Sequence, residues 1–553
     1  MVSKRWYVAD FETTSERYYN EHGYTCVWLW SICDANANII QDGTDINSFL
    51  VYARQLCGGT IYFHNLKFDG TFIVDYLLSQ GWQYCDNLDK NVEKGFTTLI
   101  DDSGAWYSID IRYSKNRTLH IHDSLKLLPF KVKKIAEDFH LPILKGKIDY
   151  DDYTIDDEKL DYIHNDVCIV AMALKQIKEE GMTRMTTASC AYNQYSDMKN
   201  LEYLKLCYPE LDVDFLTTWR KAYRGGRSQV SPLYQGKILE GVKRYDINSM
   251  YPHIMRHMSL PYGYPIPITR EGEYKFELYH IRIGFALKEG HLPSLLRKSA
   301  YFNGNDSYYL NTDDVEEMWI SSIDLKLVRR NYDVYYYELL DGVGFRTSMM
   351  LFIDYVDKWY GKKQLDTGAK KIVDKLMLNS LYGKFGSNVM RRKKVPGMVD
   401  DVLHYTLSDE EEGKHYYLPV AIAITSYAHL LLDDAIHATG LNNFVYCDTD
   451  SVHTLGTLPD EWVDNKALGK FKLEAVETKS KYVRQKCYVY EDQDGVSITC
   501  AGMPEEQKSI VIEQAGEAIW TIFDVGMKVS GKLMPIRVKG GTILHETTFE
   551  IKQ

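Results

Sequence analysis

The sequence has no C-x-x-C pair among its ten cysteines and no His/Cys spacing suited to a structural zinc, which excludes a zinc ribbon or finger as its organising element. The cysteines read instead as buried thiols of a reducing compartment. No run of eighteen or more apolar residues occurs, so a membrane span is not expected. The start, Met1-Val2-Ser3-Lys4-Arg5-Trp6-Tyr7, lacks the apolar core of a signal peptide. No Walker loop, G-x-G-x-x-G, H-E-x-x-H or G-x-S-x-G is present, and no repeat of fixed period or long low-complexity linker divides the chain. An excess of positive charge is also missing. Against 65 Lys+Arg stand 77 Asp+Glu, a net −12, which taken as a whole argues against a nucleic-acid partner.

What is present is the composition of an ordinary soluble globular protein, 45% hydrophobic and 26% charged, in 553 residues. That length suggests about three to five domains. Tyrosine is over-used, 43 against 19 Phe, which predicts rings packed inside with hydroxyls placed on partners. Strands are expected at Trp6 to Phe11 and Ile61 to Phe63, with a helix from about Gly70 to Leu78. Apolar residues from Leu160 to Ile177 recur at helical spacing and stop at Gly181. Val242 to Ile247 reads as a strand entering a short helix that ends before Pro261. Residues 258–350 hold strand-like pieces, about 351–386 is basic and helical, and 391–417 is polar and irregular. An amphipathic helix at 418–440 precedes a strand at Phe444 to Cys447, and the last 50 residues carry short strands and Gly-Gly turns.

Carboxylates recur in patterns that suit metals. Asp10 and Glu12 stand two apart on a strand, so both point to one face. Side by side they repel, which becomes favourable only with a divalent cation between them. Read alone, the pair is a solvated strand edge, and Asp69 in His64-Asn65-Leu66-Lys67-Phe68-Asp69-Gly70 is a helix N-cap. Tyr162 and Asp166 share a helix face at i and i+4. Taken together, Asp10, Glu12, Asp69 and Asp166, with Tyr162 to orient a water, suit two metals about 3.5–4 Å apart in phosphodiester hydrolysis. Lys145 either neutralises developing phosphate charge or is a solvated loop lysine.

A second set lies downstream. Asp246 ends a strand in Tyr245-Asp246-Ile247-Asn248-Ser249-Met250-Tyr251-Pro252, and Asp448 and Asp450 alternate in Tyr446-Cys447-Asp448-Thr449-Asp450-Ser451. The latter is either metal chemistry on a strand or an Asp-rich hairpin turn. Between them Lys371, Lys375, Asn379 and Tyr382 fall on one helix face, able to meet a triphosphate with charge and its base with a ring. Lys486 and Tyr488 are expected on one face of a strand.

With these blocks assembled, the chain resembles the family B DNA polymerases, specifically the protein-primed type of the phi-twenty-nine-type bacteriophages. DFETT, HNLKFDG and YIHND resemble the three exonuclease motifs, YRGG the linker, and DINSMYP, KLMLNSLYGKFGSN, YCDTDS and KCY the polymerase motifs, all in family order. The resemblance implies an α+β multidomain fold: an RNase H-like 3′–5′ exonuclease domain at 1–186, palm at 187–257 and 418–500, fingers at 351–386 and thumb at 501–553. Two insertions called terminal-protein regions would occupy 258–350 and 387–417, the second closing a ring that gives processivity and strand displacement.

The resemblance also implies roles. Asp246 and Asp450, with Asp448 and the Ile247 carbonyl, would hold two Mg2+ or Mn2+ ions, and Asp10, Glu12 and Asp166 would bind the exonuclease metals. Lys363, Lys371 and Lys375 would face the deoxynucleoside triphosphate, Tyr251 would refuse a 2′-hydroxyl, and Asn379 and Tyr382 would line the base pocket. Lys486 and Tyr488 would hold the primer end of a DNA primer-template. His64, Asn65, Phe68, Ser124, Leu125 and Phe130 would grip single-stranded DNA, and Tyr223, Gly225 and Gly226 would tune strand transfer between sites. The implied partner is a terminal protein whose serine primes synthesis, with the enzyme a monomer or a heterodimer with it in the host cytoplasm. Gly386 stands where the family has a small alanine, Cys487 fills the middle of K-x-Y, and Lys147 stands where an acid is expected; the first two are expected to lie away from the chemistry. Rival readings are a standalone exonuclease and a non-catalytic DNA-binding scaffold. The net charge then looks different: residues 220–227, 362–394 and 478–488 carry +16 in 52 residues, leaving −28 on the rest, and local stripes govern phosphate binding.

Overall fold

The structure is a computed structural model that describes residues 5–88, 92–297 and 307–552. The reading of Met1 to Lys4, and the part of the 258–350 stretch at 298–306, lie outside those residues. The N-terminal part builds an eight-stranded sheet. Its centre is Trp6–Thr13, which pairs in parallel with Thr60–Phe63, itself parallel to Arg117–Asp123. Helix Asp157–Glu179 packs across one face of this sheet through Val167, Val170, Leu174 and Ile177, all at or near zero exposure. Each such side chain contributes about 1.5–3 kcal/mol by burial, so the helix is held in fixed register over the strand that carries Asp10 and Glu12. Its far end reaches helix Gly368–Phe385.

A second, five-stranded antiparallel sheet forms the centre of the molecule, in the order Phe471–Glu477, Val242–Ile247, Ser451–Thr454, Phe444–Asp448, Ser228–Val230. Helix Leu418–Thr439 lies beneath it, ending at Gly440 with φ +90. The expected bounds hold there, but not the amphipathic pattern. Buried residues run around its circumference, from Leu418, Val420 and Ile422 to Ser426, His429 and Asp433. It is long and apolar enough to cross a membrane by length and composition, which a search for unbroken apolar runs does not register, yet 78% of its most apolar stretch is buried inside the protein.

Leu260–Pro267, Tyr332–Ser348, Phe276–Leu287 and Glu316–Ser321 form a four-stranded sheet in that order, with the 17-residue strand Tyr332–Ser348 inside it. The basic helical region is two helices, Ile353–Leu365 and Gly368–Phe385, broken at 366–367. Two other expectations are corrected. Residues 391–417 are not irregular: Lys394–Val399 and Val402–Leu407 form a hairpin, and Met390–Arg391 pairs with Glu411–Glu412 at its base. The C-terminal strands are not short, since Lys528–Val538 and Gly541–Glu550 make a long hairpin behind helix Glu505–Ala515. The tip of that hairpin docks on the loop that precedes strand Val27–Asp34 of the N-terminal sheet. Thr25 N–H donates to the Lys539 carbonyl at 3.0 Å, and a Cβ at Gly540 would stand 2.1 Å from the Thr25 carbonyl oxygen.

All ten cysteines are free; seven are buried as expected, while Cys26, Cys57 and Cys85 are only half-buried. The tyrosine reading holds for many rings. Tyr195, Tyr308, Tyr332 and Tyr355 are fully buried, and each hydroxyl donates to a backbone carbonyl, of Leu351, Ser228, Tyr309 and Met377 respectively.

Candidate active sites

The first acidic site sits at the centre of the N-terminal sheet. Asp10 and Glu12 share one face of Trp6–Thr13, as the spacing predicts, and Asp69 and Asp166 come to that face from two helices. Burial pushes the Asp10 carboxyl up to about 7, with Asp166 adding to it, while Lys145 and the Phe11 backbone N–H act against it. Burial and then Asp10 raise Glu12 and Asp69 in the same direction. Among the described residues no three His, Cys, Asp or Glu side chains are closed up as a ready-made ligand set, but these four feel one another's charge. The cation they face is the Lys145 ammonium, which bonds Asp166 Oδ2, while Asp166 Oδ1 is buried without a hydrogen-bond partner. Burial lowers the Lys145 pKa, but Asp166 outweighs it and the net shift is upward. The orphaned oxygen and the mutually raised carboxyls are a donor set that fits a hard divalent cation. Tyr162 is buried beside them, its hydroxyl 3.1 Å from that of Tyr150.

Asp69 is not an N-cap. The helix runs Leu66–Ser79 rather than from Gly70, and Asp69 lies in its first turn. The residue before it, Asn65, is left-handed at φ +70, and the free N–H groups are satisfied by Asp123, whose Oδ1 accepts from Asn65, Leu66 and Leu125 at 3.1, 3.3 and 3.0 Å. Sequence reasoning missed Asp123, although it precedes Ser124 at the end of a strand. Ser124 is fully buried, with its hydroxyl donating to the Phe63 carbonyl and facing His64 Nδ1 at 2.9 Å, so it supports His64 and presents nothing to a strand. His64 Nε2–H donates to the Phe130 carbonyl at 2.8 Å, and burial lowers its pKa to about 4, so the ring is neutral. Leu125 and Phe130 are half-buried. Asn65 and Phe68 open onto a cavity of about 470 Å³ shared with Trp106, Lys394 and Arg537, which brings Lys394 of the basic run 391–394 and an unforeseen cation, Arg537, to the expected strand-binding face.

The second site lies on the five-stranded sheet. Asp246, on Val242–Ile247, is opposite Ser451, and Ile247 N–H donates to the Asp450 carbonyl at 2.9 Å. Asp448 ends Phe444–Asp448, and Asp450 lies with Thr449, left-handed at φ +57, in the two-residue turn before Ser451–Thr454. The segment is a hairpin turn, and it brings Asp450 to Asp246 with Asp448 beside Asp450. Burial, then Asp450 and Glu474, push Asp246 up to about 7; burial and Asp448 push Asp450 up to about 6. Lys375 opposes both shifts. Glu474 was not foreseen, because it reaches the site as the extra residue of a β-bulge opposite Arg244 and Tyr245.

The helix face appears as predicted. Lys371, Lys375 and Asn379 are exposed in line on Gly368–Phe385, and Tyr382 stacks on Tyr251 with centroids 4.0 Å apart. Lys363 joins them from Ile353–Leu365, its Nζ 2.9 Å from Ser249 Oγ, its pKa lowered by burial and then by Lys375 and Lys371. Lys486 is not on a strand. It occupies the left-handed turn (φ +54) before Cys487–Asp492, and its Nζ stands 3.4 Å from Asp448 Oδ2. Tyr488 stacks in a cluster with Tyr482 and Tyr446 beneath the site.

Tyr223, Gly225 and Gly226 lie beside the second site. A Cβ at Gly226 would meet Thr449 Oγ1 at 2.8 Å, and the Gly225 carbonyl accepts from His429 Nε2 at 2.6 Å. Gly386 is not remote from them: a Cβ there would stand 2.7 Å from the Tyr223 hydroxyl, so glycine makes room for that ring. Of the basic run 391–394, Arg391, Arg392 and Lys393, with Lys384, Asp101 and Asp102, line a cavity of about 530 Å³ between the N-terminal sheet and the 390–412 hairpin region, and of the three Arg392 and Lys393 also pair with Glu410 and Glu411.

With this geometry in place, the chain belongs to the family of type B DNA polymerases, organellar and viral, whose model matches residues 54–154 and 151–467, and it is a DNA-directed DNA polymerase. Its relatives are those of phi29-type phages. It is 36% identical over 592 residues to the DNA polymerase of Bacillus phage M2 and 35% over 591 to that of Bacillus phage phi29, spanning the full length of both chains in each case. The DNA polymerase of Streptococcus phage Cp-1 is 32% identical over 597 residues, covering 99% of each chain. Phi29 DNA polymerase complexed with single-stranded DNA superposes at a TM-score of 0.90 and 33% identity, over 99% of this chain and 100% of that one. Its ternary complex with primer-template DNA and incoming nucleotides gives 0.89 at 34% identity over the same shares.

Proposed function

We propose that this polymerase joins template-directed synthesis to 3′–5′ proofreading and strand displacement, and that it starts from a terminal-protein primer during replication of a linear phage genome in the host cytoplasm. The observation that carries this reading is the presence of two separate acidic centres, on two different sheets, each faced by its own cations: Lys145 at the first, Lys363, Lys371 and Lys375 at the second. The divisions 1–186, 187–257, 258–350, 351–386, 387–417, 418–500 and 501–553 serve as exonuclease, palm, first insertion, fingers, second insertion, returning palm and thumb. The RNase H-like assignment of the first is supported by its central parallel strands and the acidic face of Trp6–Thr13.

At the synthetic centre Asp246, Asp448, Asp450 and the Ile247 carbonyl hold divalent magnesium or manganese, which supplies charge neutralisation at the transferring phosphoryl group. The chain does the positioning. Lys363 leaves Ser249 and, with Lys371 and Lys375, holds the triphosphate; Asn379 and Tyr382 line the base pocket, and Tyr251, buttressed by Tyr382, closes the space a 2′-hydroxyl would need. Lys486 and Tyr488 hold the primer end. At the other centre Asp10, Glu12, Asp69 and Asp166 hold the metals of hydrolysis, Tyr162 orients water and Lys145 meets the phosphate. Asn65, Phe68, Leu125 and Phe130 line the path of the frayed strand, with His64 set by Ser124. Tyr223, Gly225 and Gly226 connect the two centres. The cavity bounded by Arg391, Lys384 and the N-terminal sheet is the passage for a single strand during displacement, in which each base-pair step opened costs about 1.4 kcal/mol. A monomer, or a heterodimer with the terminal protein, accommodates all of these.

Primer extension through a downstream duplex, with magnesium and deoxynucleotides, tests the reading: full-length product with a displaced strand is expected, and arrest at the first duplex step would remove the displacement assignment. In the same assay Tyr251→Val is expected to raise ribonucleotide incorporation by about 10- to 100-fold, the scale of a removed steric barrier of some 1–3 kcal/mol. Unchanged discrimination between sugars would show that another residue reads the 2′ position.

A further inference from the structure

The two fingers helices carry lysines in adjacent pairs, and only one member of each pair is used above. Lys363 and Lys371 face the synthetic centre. Their neighbours Lys362 and Lys370 point the other way, toward the N-terminal domain, where both meet one carboxylate. Glu180 caps the C-terminus of helix Asp157–Glu179, the helix that also carries Tyr162 and Asp166. Its Oε2 accepts from Lys362 Nζ at 3.1 Å and its Oε1 stands 3.6 Å from Lys370 Nζ. One side chain therefore spans the break at 366–367 and ties both fingers helices to the first domain. Lys362 is further fixed over the Trp359 ring, 4.8 Å from its centroid, and by an ion pair at 3.7 Å to Asp374, which is buried on the second fingers helix. The lysines lower the Glu180 pKa, Lys362 first, so the carboxyl is charged at neutral pH.

A hydrogen-bonded carboxylate that grips two helices, each at the residue next to a triphosphate-facing lysine, sets where those lysines stand. We propose that Glu180 is a positioning residue for nucleotide binding: from the N-terminal domain it fixes both fingers helices so that Lys363 and Lys371 meet the incoming triphosphate together. This rests on the reading of those lysines as triphosphate ligands. Glu180 touches neither nucleotide nor metal and takes no part in 3′-end hydrolysis.

The test is steady-state single-nucleotide extension by the full chain with magnesium. Glu180→Gln is expected to raise KM for the deoxynucleotide about two- to fivefold, the scale of partly exposed ion pairs, with kcat within about twofold and single-strand degradation unchanged, the pattern of lost ground-state positioning. Lys362→Gln is expected to do the same, and the double variant no more than the larger single effect. An unchanged KM, multiplied effects in the double variant, or loss of synthesis and degradation together would each overturn the proposal. Lys363→Ala separates the two layers. If it leaves KM unmoved, the triphosphate reading itself is wrong. If it raises KM while Glu180→Gln does not, only the role of Glu180 fails.

Discussion

Asp450→Asn is expected to reduce primer extension on the order of 10³-fold, the loss of several kcal/mol of charge stabilisation at the reacting phosphate, while leaving 3′-end degradation of single strands intact. The amide is nearly isosteric. The bond from Asp450 N–H to the Asp448 carbonyl and the pairing of Ile247 N–H with the Asp450 carbonyl are backbone contacts that the substitution does not touch. What disappears is one charge of a mutually repelling set. Asp246 and Asp450 are held at about 7 and about 6, by burial and then by acidic neighbours. Removing the Asp450 charge should therefore bring Asp246 back toward its ordinary range, with no loss of thermal stability in a chelator. Extension within tenfold of the parent would remove Asp450 from the synthetic centre. Parallel loss of degradation would show that the two centres are not separate.

How much of this was legible in the sequence follows from the range of the interactions. Asp10 and Glu12 were readable because a strand's period of two is local, and Lys371, Lys375 and Asn379 because a helix's period is. The features that were not readable depend on partners far along the chain or on single dihedral angles. The helix expected at Gly70 begins at Leu66 because its free N–H groups are satisfied by Asp123, more than fifty residues away. The hairpin inside 391–417 was hidden because its two-residue turn is Asp400-Asp401, both left-handed, with no glycine to announce it. Glu474 is aimed by a bulge whose existence depends on pairing with Arg244 and Tyr245. Net charge misled for a related reason. It sums over the surface, whereas Lys363, Lys371 and Lys375 act within one face.

Asp10→Ala combined with Glu12→Ala is expected to abolish 3′-end degradation, by about 10³-fold or more, and to leave extension of a paired primer near the parental rate. The same variant carries a second, independent signature. The folded-state pKa of Asp10, about 7, lies above its unfolded value of 3.8, so the folded chain binds this proton more tightly than the unfolded chain. Stability from the protonated form is present at low pH and is lost as pH rises from about 4 through about 7; above that the ionised pair is a standing cost, on the order of 1–4 kcal/mol at most. Glu12 shifts in the same direction. In a chelator the double variant should therefore gain on the parent between pH 5 and pH 8, as measured by thermal unfolding, and added magnesium should raise the melting point of the parent more than that of the variant. A difference that does not change with pH would mean that Lys145 alone neutralises the site, and that the carboxylates of Trp6–Thr13 are held by the ammonium on Asp166 with no call for a second cation.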